Sequence, residues 1–320
     1  MVDNANLIFQ LKDHLTSSGF VTFFNFPSQN YFSSHDIVMF GVPFDSYATE
    51  RKGAADAPAA LRRFSVKIGD FSITNQKSTQ RSLLGVDIGD IIVNPFNPED
   101  IYKTIYDFMH EIMKSGAIPI MVGGDHSISY PAISAVASHH PNLLVIQIDA
   151  HHDATDPSEW KCRYNHGTYI RNLILDGSLK ADQIVQVGIR DFQWRGSGAE
   201  FVRKQGIAVY NINTLQKLGF GQLMAYLRKF DNRPTYITLD VDSIDPAFAP
   251  ATGEPMVGGF YSREIIDLIT EIYACNLDIV ASDIVEVVPR LDSDDRTCAL
   301  ATHLMALMID GLRKEESAGE

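Results

Sequence analysis

The chain alternates short, continuously apolar runs with longer stretches that carry a helical pattern. The apolar runs are rich in Val and Ile, which is typical of strands buried on both faces of a parallel sheet. The six clearest runs cover residues 36–42, 117–122, 143–148, 184–189, 236–241 and 279–287. The alternation predicts an α/β fold, namely a doubly wound parallel sheet with helices on both faces.

Helical patterns fill the segments between these runs. They cover residues 98–115, 129–138, 168–176, 215–230, 262–275 and 296–312. No Ser/Gly-rich linker, internal repeat or change of composition divides the 320 residues. We therefore predict one domain over residues 1–320, with an N-terminal extension at 1–30 and a frayed, charged tail at 313–320.

Composition excludes several classes of protein. There are 40 Asp and Glu residues against 27 Lys and Arg, a net charge of −13, whereas a nucleic-acid binder needs a basic face. The three cysteines have neither zinc-knuckle nor paired-disulfide spacing, which favours reduced thiols. The N-terminal segment lacks a signal-peptide pattern, and no apolar run reaches the roughly 20 residues of a membrane span. We expect a soluble cytoplasmic protein that binds neither nucleic acid nor membrane.

Three of the apolar runs end in polar residues that a core would not choose. The segments are GGDHS at 123–127, DAHHD at 149–153 and DVDSIDP at 240–246. Ligands of open α/β sheets bind outside the carboxyl ends of the strands, so three such ends can converge on one pocket. Residues two apart in an extended chain point the same way, so each of the last two segments can direct alternate side chains to one point. These side chains are Asp149, His151 and Asp153 in one segment and Asp240 and Asp242 in the other.

With His126, these residues provide four carboxylates and two imidazoles. Crowded carboxylates resist joint ionisation, and divalent cations are the usual remedy. A mixed oxygen and nitrogen set of this size suits a pair of octahedral ions such as Mn²⁺ better than a tetrahedral structural zinc. Each segment alone could be an ordinary turn, and DVDSIDP lacks the central Gly and terminal Glu of an EF-hand calcium loop. All three at the ends of buried strands make coincidence a poor explanation.

At these residues the chain resembles the ureohydrolase family, the arginases and agmatinases, whose markers are GGDHS, DAHxD and DxDxxDP segments. The resemblance runs from GVPFD at 41–45 to EVVPRLD at 286–292 and so covers most of the chain. It implies an arginase-like α/β fold, a homo-oligomer of three or six chains, and a binuclear manganese site, with Ni²⁺ or another divalent ion as the alternative. The metal ligands that it implies are His126, Asp149, His151, Asp153, Asp240 and Asp242.

The resemblance also implies a reaction in which a cationic guanidino compound is cleaved to urea and an amine. Asp153 would orient the attacking water and pass its proton to the leaving amine, and Glu286 would hold the guanidinium. His166, in the His-Gly-Thr segment, would contact the substrate and relay protons with solvent. Glu286 also needs a reason of its own, because an unpaired carboxylate in an apolar strand is costly. Asp283 is either a support for these residues or a polar group at a strand end.

The sequence leaves the substrate open. The His-Gly-Thr segment and DPAFAP at 245–250 resemble agmatinases and guanidino-acid hydrolases, whereas residues 251–255 and the glycine pair at 258–259 resemble arginases. Formimidoylglutamases, which release formamide from formimino-glutamate, usually carry Ser at the position of His166. Agmatinase or guanidino-acid hydrolase activity is therefore the first expectation, with formimidoylglutamase and arginase as alternatives.

Three further residues have no assigned role. Glu254 fits neither the agmatinase nor the arginase pattern. Arg163 could meet a substrate carboxylate, although a solvated loop position explains it more simply. His152 is more easily explained by packing or solvent contact than as a seventh ligand.

Two other classes of function stay open. A deacetylase-like hydrolase would also gather Asp and His at strand ends, but it would use one zinc ion, so metal stoichiometry separates it. A non-catalytic relative would have damaged ligands, and all six are intact here.

Overall fold

The computed structural model of the protein describes residues 15–16, 21–29, 32–33, 36–73, 76–94, 97, 100–193 and 196–312. The predicted tail at 313–320 and most of the predicted extension at 1–30 lie outside this part of the chain. Within the described part of that extension, Phe23, Phe24 and Phe26 are buried in the apolar core. These three residues therefore belong to the packed body of the fold.

The described strands form a nine-stranded sheet and a separate pair, β3 with β4. In chain order they are β1 (Leu15–Thr16), β2 (Ile37–Gly41), β3 (Phe71–Ser72), β4 (Lys77–Ser78), β5 (Gly85–Ile91), β6 (Ile118–Val122), β7 (Leu144–Ile148), β8 (Ile184–Val187), β9 (Ala208–Tyr210), β10 (Pro234–Asp240) and β11 (Asp278–Val285). The order in the large sheet is β1-β5-β2-β6-β11-β10-β7-β8-β9, and its neighbours are parallel except β1 with β5. The predicted α/β fold with a parallel sheet is confirmed.

Helices cover both faces of this sheet. They are α1 (Ala57–Ser65), α2 (Asp100–Ser115), α3 (Ser129–His139), α4 (Pro157–Trp160), α5 (Tyr169–Leu175), α6 (Gly196–Gln205), α7 (Ile212–Leu218), α8 (Gly221–Leu227), α9 (Ser262–Tyr273) and α10 (Arg296–Gly311). Ile37 and Met39 of β2 belong to an apolar cluster with α1, α9 and α10, whereas Val38 and Phe40 belong to a second cluster with α2 and α3. Alternate residues of one strand thus reach opposite layers, which explains why these strands are apolar on both faces. Within the described ranges, none of the helices is long and apolar enough to cross a bilayer.

Three strands of the large sheet lie outside the predicted runs, and one of them, β1, has only two residues. β5 has the sequence GVDIGDI, in which Asp and Gly interrupt the apolar pattern, and β9 has only three residues. The guanidinium of Arg62 compensates the charges of β5, since it lies 2.7 Å from the carboxylate of Asp87 and 2.6 Å from that of Asp90. Acidic residues in a buried strand are therefore possible here because a neighbouring helix supplies the counter-charge.

The boundaries of two predicted elements also differ from the structure. The segment 215–230, predicted as one helix, is divided between α7 and α8, because Gly219 with a φ of 71° ends the first helix. The strand predicted over 279–287 ends at Val285. Glu286 therefore follows β11 and does not lie within it.

Four adjacent strands in the middle of the sheet lead into the predicted site. Their order is β6-β11-β10-β7, and all four run in the same direction. The carboxyl ends of parallel strands lie at one edge of a sheet, where ligands of this fold class bind. The residues that follow or end these strands are His126 for β6, Glu286 for β11, Asp240 for β10 and Asp149 for β7.

Candidate active site

A tight turn after β6 brings His126 to the edge of the sheet. Gly124 joins the strand to a short 3-10 turn at His126–Ile128, and Asp125 caps this turn through its side chain. A Cβ on Gly124 would lie 1.9 Å from the backbone oxygen of Phe44, so no side chain fits at this position. The glycine therefore permits the close approach that buries the ring of His126.

His126 is the centre of the first group of predicted ligands. Its Nδ1 atom lies 3.1 Å from Oδ2 of each of three carboxylates. Two of them, Asp149 and Asp153, follow β7, and the third, Asp240, ends β10. Asp153 has a φ of 47°, a conformation that is uncommon outside glycine and that the surrounding structure must hold in place.

His151 is the centre of the second group. Its Nδ1 atom lies 2.8 Å from Oδ2 of Asp242 and 3.7 Å from Oδ1 of Asp149. Asp149 therefore offers Oδ2 to the first group and Oδ1 to the second. The predicted ligands form two groups that share one carboxylate, an arrangement that can hold two ions side by side.

The four carboxylates of these groups are crowded and almost completely buried, at most 9% exposed. Burial and the charge of Asp149 raise the pKa of Asp153 to about 7. Burial and the charge of Asp242 raise the pKa of Asp240 well above its usual value. Two divalent cations would relieve this repulsion, and oxygen and imidazole donors suit Mn²⁺ and related ions. The donor set therefore fits a binuclear site.

A hydroxyl and a carboxylate support His126 from behind. Its Nε2 atom lies 2.8 Å from Oγ1 of Thr238, which donates a hydrogen bond to Oδ1 of Asp283 at 2.7 Å. Because the hydroxyl donates to Asp283, its oxygen accepts from the Nε2–H of His126, which leaves Nδ1 free to bind a metal. The other oxygen of Asp283 accepts from Ser129 and Tyr236, both at 2.7 Å. Asp283 is thus a buried support for a predicted ligand.

Two glutamines within buried strands connect Asp149 to His152. Nε2 of Gln147 donates to Oδ2 of Asp149 at 2.7 Å. Nε2 of Gln186 donates to Oε1 of Gln147 at 2.7 Å, and its Oε1 lies 2.6 Å from Nδ1 of His152. His152 therefore lies outside both groups of ligands and is held by this amide chain. The sequence signal for the two glutamines, which the prediction missed, is a single polar residue in each of two apolar strands.

Glu286 lies next to His126 and His166. Its Oε1 atom accepts a hydrogen bond from the backbone N–H of His126 at 3.0 Å and lies 2.9 Å from Nδ1 of His166. Its Oε2 atom is buried and has no hydrogen-bond partner among the described residues. A buried carboxylate oxygen without a partner is costly, and a cationic donor is the group that would satisfy it.

A cavity of ≈ 130 Å³ lies beside the two groups of predicted ligands, and its lining includes His151, Asp153 and His166. Two residues that the sequence left without a role in the site, Thr49 and Glu254, also line it. Oγ1 of Thr49 lies 2.8 Å from Nε2 of His166, and Oε1 of Glu254 lies 3.2 Å from the same atom. Both residues come from loops, and no local pattern in the sequence signals their convergence.

Arg163 lies on the surface. Its guanidinium forms an ion pair with Asp176 at 2.5 Å, and its side chain is 55% exposed. The guanidinium carbon also lies over the ring of Tyr164, 5.3 Å from its centre. These contacts agree with the simpler expectation of a solvated loop position.

Comparison with known proteins gives a consistent result. The family profile described as the arginase family matches residues 35–310. The chain is 34% identical over 289 residues to a proclavaminate amidinohydrolase from Streptomyces clavuligerus, covering 90% of this chain and 91% of that protein. It is 32% identical over 293 residues to a mitochondrial agmatinase from Gallus gallus, covering 91% of this chain and 85% of that protein. The solved structure of the Streptomyces clavuligerus proclavaminate amidinohydrolase matches with a TM-score of 0.85 and 32% identity, over 93% of this chain and 99% of that one.

Proposed function

The chain belongs to the arginase family and is an enzyme of the ureohydrolase type, and we propose that it uses two divalent ions to hydrolyse a guanidino compound to urea and an amine. The observation that carries this proposal is the position of Asp149, whose two carboxylate oxygens face two different groups of ligands. The ligands would be His126, Asp153 and Asp240 for one ion and His151 and Asp242 for the other, with Asp149 common to both. Mn²⁺ suits this donor set, and Ni²⁺ is the alternative.

The residues around the two groups would divide the chemical work. When bound, the ions would lower the pKa of a water molecule and so supply a nucleophile near neutral pH. Asp153, which lines the cavity, would orient this water by accepting a hydrogen bond and would then carry its proton to the leaving nitrogen. The proton is needed because the amine is a poor leaving group until it is protonated.

Glu286 and His166, which contact each other, would act on the substrate. Glu286 would bind the guanidinium through Oε2, the buried oxygen that has no partner among the described residues. His166, 8% exposed and part of the cavity lining, would relay protons between the cavity and solvent. Positioning of this kind matters because resonance deactivates the guanidinium carbon, and a fixed orientation lowers the barrier to attack.

The substrate that we propose is a small cationic guanidino compound of the kind handled by agmatinases or guanidino-acid hydrolases. The names of the relatives support this class, since they include agmatinase, guanidinobutyrase and guanidinopropionase. Arginase and formimidoylglutamase activities are the alternatives. Family membership argues against the deacetylase-like alternative, and the intact ligand set argues against a non-catalytic relative. A homo-oligomer of three or six chains and a cytoplasmic location stay predictions.

The test is a panel of substrates with the purified protein after loading with Mn²⁺ or Ni²⁺. The panel contains agmatine, arginine, guanidinobutyrate, guanidinopropionate, free guanidine and formimino-glutamate. Release of urea from at least one guanidino compound is the expected result. Release of formamide from formimino-glutamate in preference to urea from the others would replace the proposed activity with that of a formimidoylglutamase.

A further inference from the structure

Glu254 is the carboxylate of the cavity that the family resemblance leaves unexplained. Its Oε1 atom lies 3.2 Å from Nε2 of His166 and accepts a hydrogen bond from the hydroxyl of Thr49. Burial opposes the ionisation of Glu254, but hydrogen bonds with His166 and Thr49 and the charge of the ring lower its pKa to about 2. Its side chain is 27% exposed, so part of it reaches the cavity. Glu254 is therefore an ionised group beside the proposed substrate site.

The ring of His166 lies between two carboxylates. Nδ1 is 2.9 Å from Oε1 of Glu286, and Nε2 is 3.2 Å from Oε1 of Glu254. Burial opposes protonation of the ring, but the two carboxylates raise the pKa of His166 well above its usual value. The backbone N–H of Thr49 also points at Nε2 from 3.2 Å, a contact that a protonated ring cannot accept. A protonated His166 therefore pairs with a carboxylate at each ring nitrogen but leaves the backbone N–H of Thr49 without an acceptor.

The lack of a side chain at Gly253 leaves room for the carboxylate of Glu286. This glycine precedes Glu254 in the chain, and a Cβ on it would lie 2.7 Å from Oε2 of Glu286. That oxygen is the one without a hydrogen-bond partner among the described residues, on a side chain that is 3% exposed. Glu286 therefore keeps one acceptor that His166 does not use.

We propose that Glu254 and Glu286, the carboxylate pair, bind the substrate guanidinium along two different edges of its plane, and that His166 leaves this position when substrate enters. The proposal rests on the proposed function and makes Glu254 a residue that determines specificity. A singly substituted guanidinium is planar, and two of its edges each present a pair of N–H donors to a carboxylate. A formimino group has C–H in place of the third nitrogen and presents only one such edge. The carboxylate pair therefore favours guanidino over formimino compounds.

The test is the binding of guanidinium chloride to the metal-loaded protein, measured by calorimetry at constant ionic strength. Glu254→Gln keeps the shape of the side chain and removes its charge, and it weakens binding about 10- to 100-fold, the range for hydrogen bonds to a charged group. Glu254→Asp keeps the charge and retains part of the affinity. The matched control, Glu50→Gln, removes a charge from an exposed residue of the same lining and changes binding less than about threefold. Equal effects of the Glu254 and Glu50 variants would overturn the proposal.

A second background separates direct binding by Glu254 from an effect through His166. In His166→Asn the ring no longer competes for the site, so guanidinium binds more tightly than it does to the unchanged protein. Glu254→Gln still weakens binding in this background. If Glu254 acted only by holding His166, its replacement would have no effect there, and that outcome overturns the proposal. Absence of guanidinium binding by the unchanged protein overturns it as well.

Turnover distinguishes this proposal from the proposed function. When urea is released, Glu254→Gln raises KM for the guanidino substrate more than it lowers kcat. It also lowers the ratio of kcat/KM for the guanidino substrate to kcat/KM for formimino-glutamate. Urea release with an unchanged KM would remove the role of Glu254 and leave the hydrolase intact. Guanidinium binding that depends on Glu254, without any urea release, would keep the role of Glu254 and contradict the proposed hydrolase activity. The thermal unfolding midpoint of each variant shows whether it is folded, and Glu254→Ala, which also removes the charge, replaces Glu254→Gln if that variant is not.

Discussion

The carboxylate of Glu286 accepts a hydrogen bond from the backbone N–H of His126 at 3.0 Å, although the two residues are 160 positions apart in the chain. The bond joins the turn after β6 to the end of β11, and these strands are neighbours in the sheet. Glu286 makes it from a backbone with a φ of 66°, which is uncommon outside glycine. The proposed guanidinium-binding residue and a predicted metal ligand are therefore fixed to each other, as a preorganised site requires.

We expect Asp149→Asn to lose both ions. The two oxygens of Asp149 face different groups of ligands, and a neutral amide is a poorer ligand for a divalent ion. The metal content measured after dialysis should fall from two ions per chain toward none, and urea release should fall with it. Asp242→Asn, which changes only the group around His151, should lose one ion. Full metal content with normal turnover in either variant would refute the ligand assignment.

His166→Asn should keep both ions and lose rate. His166 contacts Glu286 and Glu254 and lies outside the two groups of ligands. Removing a group that transfers protons typically costs about 10² to 10⁴ in rate. Metal analysis and kcat/KM measured on the same sample would test this. Loss of metal in this variant, or an unchanged rate, would contradict the proposed role.

Thr238→Val should weaken metal binding without touching a ligand. The variant removes the hydroxyl between His126 and Asp283, so the ring loses the partner of Nε2. Loss of such a partner typically lowers metal affinity about 10- to 100-fold. Competition with a chelator for Mn²⁺ measures the change, and Thr238→Ser, which keeps the hydroxyl, is the control. Equal affinities for the two variants would show that the hydroxyl does not support the site.

Arg62→Met should destabilise the fold by about 3–5 kcal/mol, because it leaves buried Asp87 without its counter-charge. Arg62 and Asp87 are 2% and 0% exposed. The control is Arg263→Ala, which breaks a surface pair with Asp267 and should cost less than about 1 kcal/mol. Denaturant unfolding of both variants supplies the comparison. A similar decrease in the free energy of unfolding for the two variants would mean that the buried pair stabilises the fold no more than the surface pair does.

The contact between His110 and His139 should lower the free energy of unfolding at acid pH. Nε2 of His139 lies 2.8 Å from Nδ1 of His110, and burial together with the charge of His110 lowers the pKa of His139. As the pH falls through 6.5, the unfolded chain takes up a proton that the folded chain resists, so stability decreases. His110→Gln should raise the pKa of His139 in an NMR titration and reduce this loss. A pKa of His139 that stays the same or falls in the variant would argue against the coupling.

The central sheet could be predicted because its strands are buried on both faces and therefore continuously apolar. β5 could not, because Asp87 and Asp90 break its pattern, and the sequence does not reveal that Arg62 of α1 compensates them. The same limit applies to α7 and α8. Their combined pattern predicts one helix, and only the backbone conformation of Gly219 divides them.

The convergence of the proposed ligands could be predicted because they occur in three short segments, each of which follows or ends a strand of the sheet. Thr49 and Glu254 could not, because they are 205 positions apart and meet only in the folded chain. Gln147 and Gln186 are intermediate cases. Each is a polar residue in an apolar strand, which signals that it has a role, but the role itself depends on the neighbouring strand.

The most direct test of hydrolysis by two divalent ions is urea release measured as a function of the number of Mn²⁺ ions bound per chain. The position of Asp149 between two groups of ligands predicts that activity appears as the content approaches two ions per chain. Failure to release urea from any guanidino compound at two ions per chain would contradict the account, as would full activity with a single zinc ion.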